Sequence, residues 1–309
     1  MPRILVAGEA LMDCIPLADD AFRPVVGGSP FNVAVAAARL AGPSGPGVGL
    51  MAGVSTDFFG DRLVRALHAE GIDTARVARI DAPTTLAFVD LSGPSPRYAF
   101  YDEGSATRAF TAAAVPAVPD ATRFVHVGSV SLIGPPGADE LARMATSAAA
   151  AGCVVSVDPN VRPTLVHDDH AWRARLDSLL GIATVVKLSD EDLAALEPGM
   201  APDAFAAGLT ARGVALVIVT GGADGATAWT ATARAHAVAP RVPVVDTIGA
   251  GDTLMAATLV HLAERGLDTP AAIAALDADA LASLLAFATR AAAVTCTRAG
   301  CDPPRRDEV

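Results

Sequence analysis

One seven-residue run, Asp246-Thr247-Ile248-Gly249-Ala250-Gly251-Asp252, restricts this chain more than any other feature. β-Branched residues (Val242, Val244, Val245) precede it, and an apolar helical pattern (Leu254, Met255, Thr258, Leu259, Leu262) follows, ended by Gly266. The pattern predicts a strand, a tight Gly-Ala-Gly turn and a helix start. Backbone N–H groups of Gly249, Ala250 and Gly251 would then converge at the positive end of the helix dipole, a place for a phosphate or for charge developing on one. A carboxylate beside such a hole works against holding an anion statically. Asp252 fits instead as a base that takes a proton from a hydroxyl while the N–H groups stabilise the transferring group. The plain alternative is a strand–helix turn in which Asp252 serves only the helix dipole.

The bulk properties exclude several classes. At 309 residues the chain can bury a large core, as one α/β domain with a small appendage or as two domains. A net charge of −11 argues against a nucleic-acid-binding surface. The positive mean hydropathy comes mainly from alanine. No uninterrupted apolar run reaches the roughly 18 residues of a membrane helix, and no leader pattern opens the chain, so a cytoplasmic location and no membrane partner are expected. The four cysteines (Cys14, Cys153, Cys296, Cys301) show no CxxC pair or framework spacing and read as reduced thiols. His167-Asp168-Asp169-His170 has metal-ligand chemistry but reads better as a solvated loop before a helix. Lys187 is the single lysine among 23 cationic residues.

Short apolar runs at 3–7, 124–127, 153–157, 183–188 and 214–220 alternate with helical stretches at 138–151, 171–180, 190–196 and 202–212. That alternation calls for a doubly wound, mostly parallel sheet covered on both faces, with ligands at the carboxyl ends of its strands. Asp13, Asp158, Thr220 and Asp246 all follow or end such runs. One segment breaks the rhythm: 84–90 and 97–101 are strand-like and joined by Leu91-Ser92-Gly93-Pro94-Ser95-Pro96, a hairpin signal. With the extended stretch 11–26, they suggest a small second sheet.

Three motifs together carry a resemblance to the pfkB-type carbohydrate kinases of the ribokinase family. They are the 246–252 run, Gly27-Gly28-Ser29-Pro30-Phe31-Asn32, and Thr220-Gly221-Gly222-Ala223-Asp224-Gly225, in the family's order and near its separations. Four further segments, GEALMD, GGSPFNVA, TTLAFV and DPNVRP (158–163), most resemble bacterial fructokinases. The resemblance implies one ribokinase-like domain over 1–309, with a β lid from about 11–26 and 84–102 over the sugar and a homodimer formed through it. Leu86, Phe88, Tyr98 and Phe100 are expected as the apolar face of that lid.

The resemblance also implies roles. Gly249, Ala250 and Gly251 form the anion hole and Asp252 deprotonates the sugar hydroxyl. Asp13 and Asn32 recognise sugar hydroxyls, since a carboxylate plus an amide supplies acceptors and donors, and Gly27 and Gly28 let the backbone approach the ring. Asn32 could instead cap the helix that begins there. Asn160 and Arg162 stand near the same rim, with an exposed loop salt bridge as the alternative for Arg162. Thr220, Gly222, Gly225 and Gly251 match the nucleotide site, where the cofactors implied are ATP and magnesium. There is no GxxxxGK[ST] loop, so charge relief falls to backbone N–H groups, metal, and Lys187 or Arg162. The family's Asn-x-x-Glu magnesium element is replaced here by Ser189 and Asp192, which leaves Asp192, through water, as the local ligand. The loop after Asp246, with 288–304, resembles a monovalent-cation site, for which potassium is the ion. Fructose is the expected acceptor. 2-Keto-3-deoxygluconate, ribose and nucleosides are alternatives, with Arg97, Arg108 and Arg162 available to clamp a sugar acid. A catalytically silent sugar-binding regulator is the reading from another class.

Overall fold

A computed structural model of the protein describes residues 1–17, 21–90, 97–111 and 117–309. Its strands are β1 (Ile4–Ala7), β2 (Leu11–Pro16), β3 (Phe22–Gly27), β4 (Val48–Ser55), β5 (Asp73–Ile80), β6 (Leu86–Asp90) and β7 (Arg97–Tyr101), followed by β8 (Phe124–Gly128), β9 (Val154–Asp158), β10 (Val185–Ser189), β11 (Leu216–Thr220), β12 (Ala226–Trp229) and β13 (Arg234–Ala237). The helices are α1 (Ser29–Ala41), α2 (Phe58–Ala69), α3 (Gly137–Ala150), α4 (Asp169–Leu180), α5 (Asp190–Leu196), α6 (Pro202–Ala211), α7 (Ala250–Glu264), α8 (Pro270–Ala274) and α9 (Ala278–Cys296).

The large sheet has nine strands in the order β13-β12-β11-β10-β9-β8-β1-β4-β5. From β11 to β5 every pairing is parallel, and β12 and β13 add antiparallel at one edge. Central strands such as β1 and β9 are buried at every residue. Helices cover both sheet faces, so these strands read as continuous apolar runs without alternation. Edge strand β13 does alternate, exposing Arg234 and His236. The doubly wound, mostly parallel sheet expected from the sequence is the fold observed.

One face carries α1, α2, α7 and α9, with Leu40, Leu63, Met255, Leu259 and Leu285 in a common core. The other carries α3 to α6, through Leu141, Trp172, Leu176, Phe205 and Leu209. Helix α7 is buried without a break from Asp252 to Ala263, as a helix that is apolar on all sides must be. Helix α9 has the length and hydropathy to cross a membrane. Here Leu281, Leu284, Leu285, Ala288 and Ala291 are buried in the core that α7 shares, which is the position of a core helix.

The second sheet has four strands, ordered β3-β2-β6-β7, with β2 and β6 parallel and the other pairs antiparallel. The hairpin turn expected at 91–96 lies outside the described residues. The expected apolar face needs correcting. Leu86 pairs with Tyr101, Ala87 with Phe100, Phe88 with Ala99 and Val89 with Tyr98. Directly opposed residues share a face. Tyr98 and Phe100 therefore lie with Ala87 and Val89, and Leu86 and Phe88 lie on the opposite side.

Residues 242–245 also depart from the expected strand closed by Asp246. They join no sheet, and Val244 and Val245 are exposed. Pro240 and Pro243 lack the N–H a ladder needs. The N–H groups of Val245 and Asp246 donate instead to the Cys296 carbonyl at the end of α9, at 2.8 and 3.3 Å.

Candidate active site

The first turns of α1 and α7 meet at Ser29 and Asp252, and Arg162, just after β9, reaches the Tyr98 ring of the small sheet. Gly249 is the N-cap of α7, left-handed at φ 79°. A Cβ at Gly249 would lie 2.1 Å from Cys301 Sγ, so the turn is packed too closely for any side chain. Among the described residues the N–H groups of Gly249 and Gly251 donate to no acceptor, whereas that of Ala250 reaches the Thr247 carbonyl at 3.2 Å. Two free donors at a helix N-terminus suit an anion.

Asp252, in the first turn of α7, is buried. Its Oδ1 accepts from Ser29 Oγ at 2.6 Å and its Oδ2 from Asn32 Nδ2 at 2.9 Å. Burial raises its pKa above the ordinary carboxylate value, against the lowering effect of these two hydrogen bonds and of Lys187 and Arg162. Asn32 is not a helix cap. Helix α1 begins at Ser29 behind Gly28, one turn earlier than expected, and the Asn32 amide faces the carboxylate.

Asp13 lies on β2 of the small sheet, on the side shared by Val25 and Ala87. A Cβ on Gly27, two residues along β3 from Val25, would meet its Oδ2 at 2.0 Å, which is why a glycine stands there. Burial, then the charges of Asp252 and Glu9, raise the Asp13 pKa to about 7. Glu9 is buried and was not expected from the sequence. It accepts from the N–H of Ser29 at 3.2 Å and of Ser131 at 3.1 Å, tying the Gly27–Gly28 loop to the end of β8.

Asn160 follows β9 with φ 41°, and its Nδ2 approaches Oγ of Ser129 (φ 61°) at 3.4 Å. Two non-glycine residues at positive φ on adjacent strand ends are the kind of strain that gathers at functional sites. Arg162 makes no salt bridge among the described residues. It donates to the Asn160 and Val161 carbonyls and stands 5.9 Å over the Tyr98 ring from the small sheet. Arg97 and Arg108 are paired with Asp90 and Asp102.

Lys187 is buried in β10, its Nζ 2.7 Å from Asp158 Oδ2. A Cβ on Gly251 would stand 2.8 Å from that Nζ, which puts the ammonium directly beneath the Gly249–Gly251 turn. Asp158 Oδ1 and His126 Nε2 are buried with no partner among the described residues. Thr220 ends β11 beside Ser189, and Gly222 and Gly225 follow in the next turn. Asp192 forms a capping box with Ser189 and also holds the Val161 N–H at 2.8 Å. Asp246 accepts from Ile248 and Gly300 N–H groups, joining the 246–249 and 296–301 loops. The 167–170 stretch supplies no metal cluster among the described residues; Asp168 caps α4 and Asp169 pairs with Arg173.

A buried carboxylate beside free helix-terminal donors, with an ammonium under the turn, has the chemistry that moving a phosphoryl group to a hydroxyl requires. The profile of the pfkB family carbohydrate kinases matches residues 1–308. The chain belongs to that family. As a pfkB carbohydrate kinase it is a phosphotransferase acting on a sugar hydroxyl. It is 38% identical over 282 residues to the fructokinase of Rhizobium leguminosarum bv. trifolii, an alignment covering 90% of this chain and 85% of that protein. Its fold matches the fructokinase from Xylella fastidiosa with bound ATP at a TM-score of 0.88 and 33% identity, over 99% of this chain and 96% of that one. The fructokinase from Vibrio cholerae O395 in a fructose-, ADP- and calcium-bound form matches at 0.83 and 26% identity, over 97% and 94%.

Proposed function

We propose that this kinase transfers the terminal phosphoryl group of ATP to fructose, giving fructose 6-phosphate. The observation that carries the reading is Asp252: buried, aimed from the first turn of α7, and flanked by the free Gly249 and Gly251 N–H donors. The names of the relatives supply the sugar.

In this reading Asp252 takes the proton of the acceptor hydroxyl as the phosphoryl group arrives, and the Gly249–Gly251 turn stabilises the charge on its oxygens. Asp13, Asn160 and Arg162 hold the other sugar hydroxyls, while Gly27 and Gly28 let the ring approach the backbone. Asn32 orients the base as well as lining the sugar site. Lys187 lies under the transferring group, and Thr220, Gly222 and Gly225 border the nucleotide along with residues 288–304.

The orphaned Oδ1 of Asp158 is the observation that fits a hydrated magnesium ion. Asp192, with both carboxylate oxygens on backbone N–H groups, would serve it through water. Bound there, the ion would neutralise phosphate charge; most of its ligands would be water and nucleotide oxygens, as magnesium prefers. Asp246 and its neighbouring carbonyls suit a monovalent cation such as potassium. The outer face of the small sheet, where Phe22, Phe88 and Tyr101 stack edge to face and Phe22 and Tyr101 are exposed, supports a homodimer through the lid. A cytoplasmic enzyme is consistent with this chemistry.

The test is ADP release over a panel of fructose, other hexoses, ribose, 2-keto-3-deoxygluconate and nucleosides, with 31P NMR of the product. Fructose should give the highest kcat/KM and a 6-phosphate. Preference for the sugar acid or ribose would replace the acceptor, and no turnover with any of them would remove the kinase reading.

A further inference from the structure

Helix α7 carries the base, but helix α1 holds it. Ser29 and Asn32 stand three residues apart on α1, so both side chains face Asp252, and each carboxylate oxygen accepts one of them. All three residues are 8% exposed. Ser29 is fixed from behind as well, since its own N–H donates to buried Glu9. The Ser29 contact, at 2.6 Å, has the length of a charge-assisted O–H···O⁻ bond. A carboxylate with both oxygens engaged is well oriented but masked: an incoming hydroxyl must share or take one position. The amide of Asn32 is planar and held by its longer side chain, whereas a serine hydroxyl is a rotor with a single donor that turns away about one bond.

We propose that Ser29 is a positioning residue: its hydroxyl orients Asp252 through Oδ1 in the empty enzyme and is the donor that the acceptor hydroxyl replaces there during turnover. The proposal rests on Asp252 being the base. Ser29 also lowers the proton affinity of the carboxylate, so losing it has a titration signature that a purely structural residue would lack. The other charged or titratable groups facing Asp252 are Lys187 from β10, Arg162 and Asp158 from the β9 end, Asp13 from β2, Tyr98 from β7 and Cys301 from the C-terminal segment. None of these changes when Ser29 is substituted.

Two measurements test this. Carboxyl 13C NMR of aspartate-labelled enzyme without ligands, with the Asp252 line identified by its loss in Asp252→Asn, should show the midpoint rising by about one pH unit in Ser29→Ala and returning in Ser29→Thr. With any sugar the wild type phosphorylates, the acid limb of kcat/KM should rise with it, because that limb reports free enzyme. The acid limb of kcat should rise much less, because bound sugar fills Oδ1. An unmoved NMR midpoint in Ser29→Ala overturns the proposal, and equal movement of both kinetic limbs overturns the displacement. The NMR arm needs no turnover. Failure of the base assignment would appear separately, as an Asp252→Asn enzyme that still turns over normally.

Discussion

Lys187 and Asp158 meet at 2.7 Å across the neighbouring strands β10 and β9, both buried, directly below the turn that begins α7. Taking two charges out of water is costly, and a pair of this kind persists only where geometry and partners compensate. Here the ammonium lies where a Cβ on Gly251 would stand 2.8 Å away, so its position is shared between the sheet and the Gly249–Gly251 turn. The single lysine of the chain is therefore a buried residue of the sheet and not a surface cation.

Lys187→Arg is therefore expected to fail despite keeping the charge. A planar guanidinium is wider than the ammonium and has no room under Gly251. The expected loss in kcat/KM for ATP exceeds ~10-fold, more than ~1.4 kcal/mol of transition-state stabilisation. Lys187→Met leaves Asp158 in the core without its partner; its pKa, about 6 even beside the ammonium, then rises further and the carboxyl takes up a proton, so the fold should lose less than the roughly 3–5 kcal/mol of an uncompensated buried charge. Steady-state kinetics and urea unfolding check the two variants. Normal kinetics in the arginine enzyme would mean that lysine's shape is not needed.

Asp252→Asn should lower kcat by about 10²- to 10⁴-fold, the range for loss of a general base. The amide can still meet Ser29 and, with its oxygen turned toward it, Asn32. Sugar and ATP affinities, measured by calorimetry, should stay near wild type. An unchanged kcat would remove the base.

The sequence made β1, β8, β9, β10 and β11 and the helices α3 to α6 legible because each is a uniform local pattern, whereas β4, β5 and the helix α2 between them were not read from it. The 246–252 and 27–32 motifs marked the site for the same reason: they are local. What escaped was non-local. Glu9 read as part of a strand-end motif, but nothing in its neighbourhood announced that it fastens Ser29 and Ser131. Ser29 could have been found, since helical periodicity puts it on the side of Asn32 once that residue faces the site. The faces of the small sheet were misassigned because Leu86 and Phe88 occupy even positions opposite odd-numbered partners. Cross-strand register, fixed by three-dimensional pairing, decides which side they face.

Gly249→Ala should damage both stability and activity. A left-handed backbone costs an alanine about 1–2 kcal/mol, and the methyl group would collide with Cys301 Sγ. The collision should be partly relieved in Gly249→Ala/Cys301→Gly, while the backbone cost remains. Thermal unfolding of the four-member cycle, including Cys301→Gly alone, separates the two effects. A strictly additive cycle would show that Cys301 does not press on the turn.

Asp13 gives a prediction with a definite sign in pH. Burial, with Asp252 and Glu9 nearby, raises its folded-state pKa from the ordinary 3.8 to about 7. The native protein then binds a proton that the unfolded chain has already released, so stability falls as pH rises between those values. The contribution is fully present below about pH 4 and is lost as pH rises through 7. Asp13→Asn removes the charge permanently, so its melting temperature should gain on the wild type progressively from pH 4 to pH 8. The same substitution should lower kcat/KM for the sugar, because the amide offers one acceptor oxygen where the carboxylate offers two. A stabilised protein with impaired sugar use is the signature of a carboxylate kept in an unfavourable place for function. A pH-independent difference in melting temperature would show that Asp13 is not held against its ionisation.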